Sequence, residues 1–184
     1  LLSVGADLPY FTGYEAMPLE RLTMLVLPRE GQAKLIIPAL EAPRVQEQPE
    51  IFSLHPWKES EDPIAILVEE LGASRSVAVG DTTWTRFTIE LLNQLPNLRL
   101  SRANSITSII RSKKSPDEIK RLKEAASAVD RIAARLQSGE IQLIGKSESQ
   151  VSNELGAQIL EEGHHRVNFA IVAAGENAAS PHHE

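Results

Sequence analysis

The sequence predicts an α/β fold with a mixed sheet, followed by two amphipathic helices and the first strand of a second, α+β unit. Three observations carry that prediction. Short apolar runs alternate with helical patterns through the first half of the chain. A short polar and basic stretch, Arg111-Ser112-Lys113-Lys114-Ser115, then breaks the alternation. Beyond it come two well-capped helical segments and one further apolar run. Strand–helix–strand alternation is the grammar of a mixed or parallel sheet. The expected division is residues 1–112 and 113–184.

Each element has a local reason. Residues 22–27 and 34–37 are apolar, and Pro28-Arg29-Glu30-Gly31-Gln32 between them is turn chemistry, so a hairpin is expected. Residues 51–54 form another short strand candidate. Asp62 suits an N-cap and Pro63 a first helical position. Ile64, Leu67, Val68 and Leu71 then recur on one helical face up to Gly72. Residues 76–79 read as a buried strand, 83–95 as a helix stopped by Pro96, and 98–100 as one more strand. In the second part Ser115, Pro116 and Glu118 make a capping box with proline in the first turn. Ile119, Leu122, Ala126, Val129, Ile132, Ala133 and Leu136 follow at helical spacing, and Gly139 is a suitable stop. Ser147 and Gln150 open a second capped helix bearing Val151, Leu155 and Ile159, which Gly163 ends. Residues 167–173 are expected to form a strand, and a turn of small residues then delivers His182 and His183.

Composition narrows the function classes. A length of 184 residues suits one large domain or two small ones, and a hydrophobic content of 42% supports a real core. With 4% aromatic residues and a formal net charge of −6, neither a base-stacking surface nor a phosphate-binding groove is expected. No nucleic-acid partner and no membrane association follow from this, since no apolar run approaches the roughly 20 residues of a spanning helix. The absence of cysteine excludes disulfides, thiolate metal sites and a cysteine nucleophile, and is compatible with a cytoplasmic setting. Leu1 is not an initiator methionine, so both ends are expected to be limits of a piece of a longer protein.

Histidines are the first candidates for chemistry. His55 lies beside Pro56 and Trp57 in a linker-like stretch and is expected to pack or face solvent. His164 and His165 follow a helix end, where a cation is favoured by the helix dipole. No two histidines stand at the spacing of a zinc-binding helix. His182 and His183 differ, because Asn177, Ala178, Ala179 and Ser180 allow close approach of a ligand and Pro181 fixes the backbone before them. A histidine at the end of such a turn is placed to move a proton. The residues alone weigh this equally against a solvated tail. Glu69-Glu70 and Glu161-Glu162 are adjacent on helices and point about 100° apart, so solvated pairs are expected. Lys113-Lys114 is expected to be a solvated linker. No nucleophile elbow, phosphate loop or dinucleotide fingerprint is present.

Three stretches resemble the Xaa-Pro peptidases, the prolidase and aminopeptidase P family of "pita-bread" metallopeptidases. Asp7-Leu-Pro-Tyr-Phe-Thr-Gly-Tyr14 is similar to a segment early in their creatinase-like N-terminal domain, with Asp7 in place of the usual Asn. Residues 110–126 resemble the run that begins their catalytic domain, and residues 169–182 resemble the segment ending in Pro-His. The resemblance implies a creatinase-like N-terminal domain over 1–112 and the start of a pita-bread domain over 113–184. It implies a parent protein that hydrolyses Xaa-Pro bonds with two divalent ions, Mn²⁺, Co²⁺ or Zn²⁺. The family's ligands for that centre, two Asp, one His and two Glu, lie downstream of the position matching His182, so this chain is expected to ligate no metal and to be inactive alone. His182 matches the family's active-site histidine, and the family does not require a histidine at 183. A homodimer, a proline-containing peptide substrate and a cytoplasmic location are implied with it. The single small N-terminal domain leans towards dipeptidases over aminopeptidases. Two alternatives stand beside this reading: a non-catalytic module for dimerisation or substrate gating, and a metal-independent creatinase-like hydrolase.

Overall fold

The computed structural model describes residues 1–183, and it pairs the two apolar runs of the expected hairpin. Strand β2 (Met24–Val26) lies antiparallel to β3 (Ala33–Pro38), with Leu25 opposite Leu35. Strand β1 (Leu2–Ser3) adds antiparallel to β2, and β4 (Phe52–Trp57) adds parallel to β3. The sheet is therefore mixed, in the order β1-β2-β3-β4. A second, two-stranded parallel sheet joins β5 (Ser76–Val79) to β6 (Arg99–Arg102).

Both faces of the hairpin are buried, which is why its strands read as continuous apolar runs. Alternate side chains point to opposite faces. Met24, Val26 and Ile36 pack with Trp57 against Ile64 and Leu67 of α2 (Pro63–Leu71) and Phe87 and Leu91 of α3 (Thr85–Gln94). Leu25, Leu35 and Ile37 pack on the other side with Leu2, Leu8, Tyr14 and Phe52. The helix signals operate as expected at α2, where the Asp62 carboxylate accepts the Ile64 N–H at 2.9 Å and Gly72 ends the helix.

The chain divides into two compact units, Leu1–Ser112 and a second that begins at Lys113. The second contains α5 (Pro116–Ser138) and α6 (Glu148–Glu161). Both open with complete capping boxes, at Ser115/Glu118 and Ser147/Gln150, and α5 ends at Gly139 with φ 81°. A 3₁₀ turn, Gly175–Ala179, precedes His182 and His183. Among the described residues no helix is long and apolar enough to cross a membrane.

Several expectations are corrected. Residues 167–173 form no strand, because a strand needs a neighbour for its ladder and none of the described residues supplies one; the Ser152 hydroxyl instead donates to the Ala170 carbonyl at 2.6 Å. Two helices lie outside the sequence expectation: α1 (Asp7–Thr12) and α4 (Asn104–Ser112), the latter running into the polar, basic stretch Arg111–Ser115. His55 belongs to β4, not to a linker, and its Pro56 neighbour is tolerated because β4 is an edge strand. Of the apolar stripe on α5, Ile132 is buried, whereas Ile119, Leu122 and Val129 are 42%, 58% and 51% exposed.

Candidate active site

The segment carrying the terminal histidines is held by the first turns of α6. The capping box fixes where that helix begins: the Ser147 Oγ accepts the Gln150 N–H at 3.3 Å, and the Gln150 carbonyl oxygen accepts the Ser147 N–H at 2.8 Å. Glu148 is thereby placed in the first turn, facing the segment. One carboxylate oxygen accepts the Ala174 N–H. The other accepts the Asn177 side-chain amide at 2.9 Å and lies 3.2 Å from His183 Nε2. One turn further, Ser152 holds Ala170. Within the turn, Asn177 N–H donates to the Ala174 carbonyl at 3.2 Å and Ser180 N–H to the Asn177 carbonyl at 3.0 Å.

The Ala174 N–H, then the Asn177 amide and the nearby His183 ring, hold the Glu148 carboxyl below the usual carboxylate range, against a smaller opposing effect of desolvation. Glu148 therefore stays an acceptor through the neutral range. It was not foreseen as a site residue. The signal was available, since the capping box makes Glu148 the acidic residue of a helix first turn; what no local pattern could show is that its partners lie 26 to 35 residues downstream.

His182 itself is exposed, and its ring has no hydrogen-bond partner among the described residues. His183 is half-buried against Glu148. The other predicted candidates lie elsewhere. Glu70 is not a solvated surface residue: its side chain is 15% exposed and pairs with Lys34 Nζ at 2.7 Å, with His55 Nδ1 3.4 Å away. Glu162 likewise is tied to Arg131 and, at 2.8 Å, to Arg135, fastening the end of α6 to α5. The surroundings of each pair, not the sequence spacing, decide this. His164 and His165 follow the end of α6, and the His164 N–H donates to Ile159 O at 3.3 Å. Lys113 and Lys114 are exposed. Among the described residues no group of three His, Asp or Glu side chains is arranged to hold a metal ion.

In the first unit, two of the sequence stretches singled out above meet. Asp7 opens α1, and its carboxylate accepts from Arg111 at 2.7 Å and from the Thr107 hydroxyl at 3.0 Å, both on α4. The Arg111 guanidinium also stands 6.0 Å from the centre of the Tyr10 ring. Gly13, at φ 70°, then turns the chain so that Tyr14 enters the core.

Residues 1–113 match the Creatinase/Prolidase N-terminal domain family. The chain belongs to that family. Among curated relatives, the probable dipeptidase PepE of Mycobacterium tuberculosis (strain ATCC 25618 / H37Rv) is 32% identical over 187 residues, covering 100% of this chain and 49% of the relative. The crystal structure of dipeptidase PepE from Mycobacterium ulcerans superposes with a TM-score of 0.88 at 31% identity, covering 99% of this chain and 49% of that one. Recombinant prolidase from Thermococcus sibiricus gives a TM-score of 0.86 at 30% identity, with 100% and 51% covered. The chain thus spans about half the length of the relatives it matches. The mixed sheet of the first unit is the sheet of a creatinase/prolidase N-terminal domain, and the likeness to PepE continues through the Glu148-anchored turn.

Proposed function

We propose that this chain belongs to a peptidase that hydrolyses the bond preceding proline, with dipeptides as its preferred substrates. The first unit is its N-terminal domain, and the second begins its catalytic domain. The observation that carries the reading is the likeness to PepE and to a prolidase over essentially the whole chain, the histidine turn included. By the resemblance drawn from the sequence, the dinuclear centre expected of such peptidases would be held by residues downstream of the position matching His182. When bound, that centre supplies an activated water and polarises the scissile carbonyl.

The contribution of this chain is His182. Its exposed ring, at the end of a turn tied down at Ala174, Asn177 and His183, is available as a donor where charge develops on the attacked carbonyl. We place the working enzyme in the cytoplasm as a homodimer. The 184 residues alone are expected to be inactive.

The test uses the longest natural polypeptide carrying this chain, loaded with Mn²⁺, on an Ala-Pro dipeptide and an Ala-Pro-Xaa tripeptide. Turnover of the dipeptide with little of the tripeptide is expected. His182→Ala should lower kcat by about 10²- to 10³-fold, the usual cost of removing a transition-state donor. A folded, metal-loaded protein that cleaves neither substrate would sink the proposal, and equal cleavage of both would move it to the aminopeptidases.

A further inference from the structure

We infer that Glu148 is the positioning residue of the histidine turn, holding His183 and, through it, setting where His182 is presented. The inference rests on the reading of His182 given above. Three donors from three places on the segment converge on this one carboxylate: the Ala174 backbone N–H, the Asn177 amide and the His183 ring. Ala174 and Asn177 bracket the start of the 3₁₀ turn, and His183 closes its far side. The stretch 178–182 is therefore suspended between fixed points on both sides. Holding a catalytic group near its working geometry before substrate arrives removes entropy and reorganisation from the reaction step. An anchor only at Ala174 and Asn177 would leave Pro181 and His182 free to swing; the His183 contact removes that freedom.

The mount is itself rigid. Glu148 sits at the first position of a helix whose start is fixed by a complete capping box, and Ser152 ties down the incoming stretch of chain at Ala170. At neutral pH a carboxylate accepts from all three donors at once. A neutral amide in its place has one acceptor oxygen and presents donors of its own to the Asn177 amide. Histidine at 183 thus has a structural role: its Nε2 lies 3.2 Å from the Glu148 carboxylate, within hydrogen-bond reach.

The test is Glu148→Gln in the longest natural polypeptide, with Glu162→Gln as control. Glu162 also closes a charge cluster on α6, at its other end and away from the histidine turn. On Ala-Pro, E148Q should lower kcat by about 10- to 100-fold, the scale of lost outer support at a catalytic group, with KM little changed. E162Q should leave kcat as it was. Independently of hydrolysis, E148Q should speed deuterium exchange at the Ala174 N–H and shift the His183 ring nitrogens in long-range ¹H–¹⁵N spectra. If E148Q folds poorly, Asn177→Ala removes one donor of the three and should give a smaller fall in kcat of the same kind. Hydrolysis by the native protein with an unchanged kcat in E148Q overturns the inference and leaves the proposed function standing. If the native protein hydrolyses no Xaa-Pro substrate, the reading of His182 falls, and exchange decides the anchor: faster exchange at Ala174 in E148Q upholds it, equal exchange overturns it.

Discussion

Asp7 and Glu148 are both carboxylates in the first turn of a helix, yet the structure gives them different work. Asp7 joins α1 to α4 through Thr107 and Arg111. Thr107 is only 5% exposed, so Asp7→Ala strands a buried hydroxyl and should cost about 1–3 kcal/mol of unfolding free energy in urea. Asp7→Asn keeps an acceptor for Thr107 and loses mainly the charge opposite a partly exposed Arg111, so its cost should stay below about 1 kcal/mol. Equal losses for the two substitutions would show that the ion pair, not the buried hydroxyl, is what matters. Glu148 makes a pH prediction. Its carboxyl is held below the usual range by the Ala174 N–H, the Asn177 amide and the His183 ring. A depressed carboxylate stabilises above its unfolded pKa of about 4.3, and that contribution is lost as pH falls through the folded value. Amide protection at Ala174 should therefore be constant from neutral pH to about 5 and fall below about 4. Protection that already declined between pH 7 and 6 would show that Glu148 is not the controlling group.

At the scale of elements, capping chemistry sets the boundaries of the second unit. The Ser115 hydroxyl and the Glu118 carboxylate satisfy each other's backbone donors at 3.2 and 2.7 Å, fixing the start of a 23-residue helix. Ser115→Ala should cost about 0.5–2 kcal/mol and fray the first turn of α5, seen as loss of helical Cα shifts at residues 116–119. Helix α2 shows the same logic with Asp62 and Pro63. By contrast α3 begins at Thr85 with Trp84 before it and no side-chain cap, so its start is set by the packing of Phe87 and Leu91. The missed helix α1 is six residues long, too short to declare itself by period, and contains Pro9. The missed helix α4 places Ile106, Ile109 and Ile110 on exposed positions with only Thr107 buried, so its apolar pattern does not mark a core face.

At the scale of the whole molecule the two units differ in how much they bury. The two hydrophobic clusters lie wholly within residues 1–103. In the second unit the buried hydrophobic side chains are Ala128, Ile132, Ile141 and Val151, while Ile119, Leu122, Val129, Phe169 and Ile171 remain exposed. Burial of apolar surface is the main stabilising term in folding. Residues 1–112 expressed alone should therefore unfold cooperatively in urea, and residues 113–184 alone should show a weak, broad transition and bind a hydrophobic dye. A sharp, independent transition in the second piece would refute that expectation.

By itself the sequence determined the class of the fold, because short apolar runs, helical stripes and capping residues act over a few neighbours. It also determined the family likeness, because residues 1–113 carry the family's pattern in order along the chain. Only the tertiary structure decided which like-looking residues differ. It made Glu70 and Glu162 partners of Lys34, Arg131 and Arg135, it put His55 into a strand, and it denied residues 167–173 a ladder. It also brought Glu148 to the turn that carries His182. These outcomes depend on contacts between residues far apart in sequence, and on whether a hydrogen-bonding or apolar partner is within reach. Neither is written in any local window of the chain.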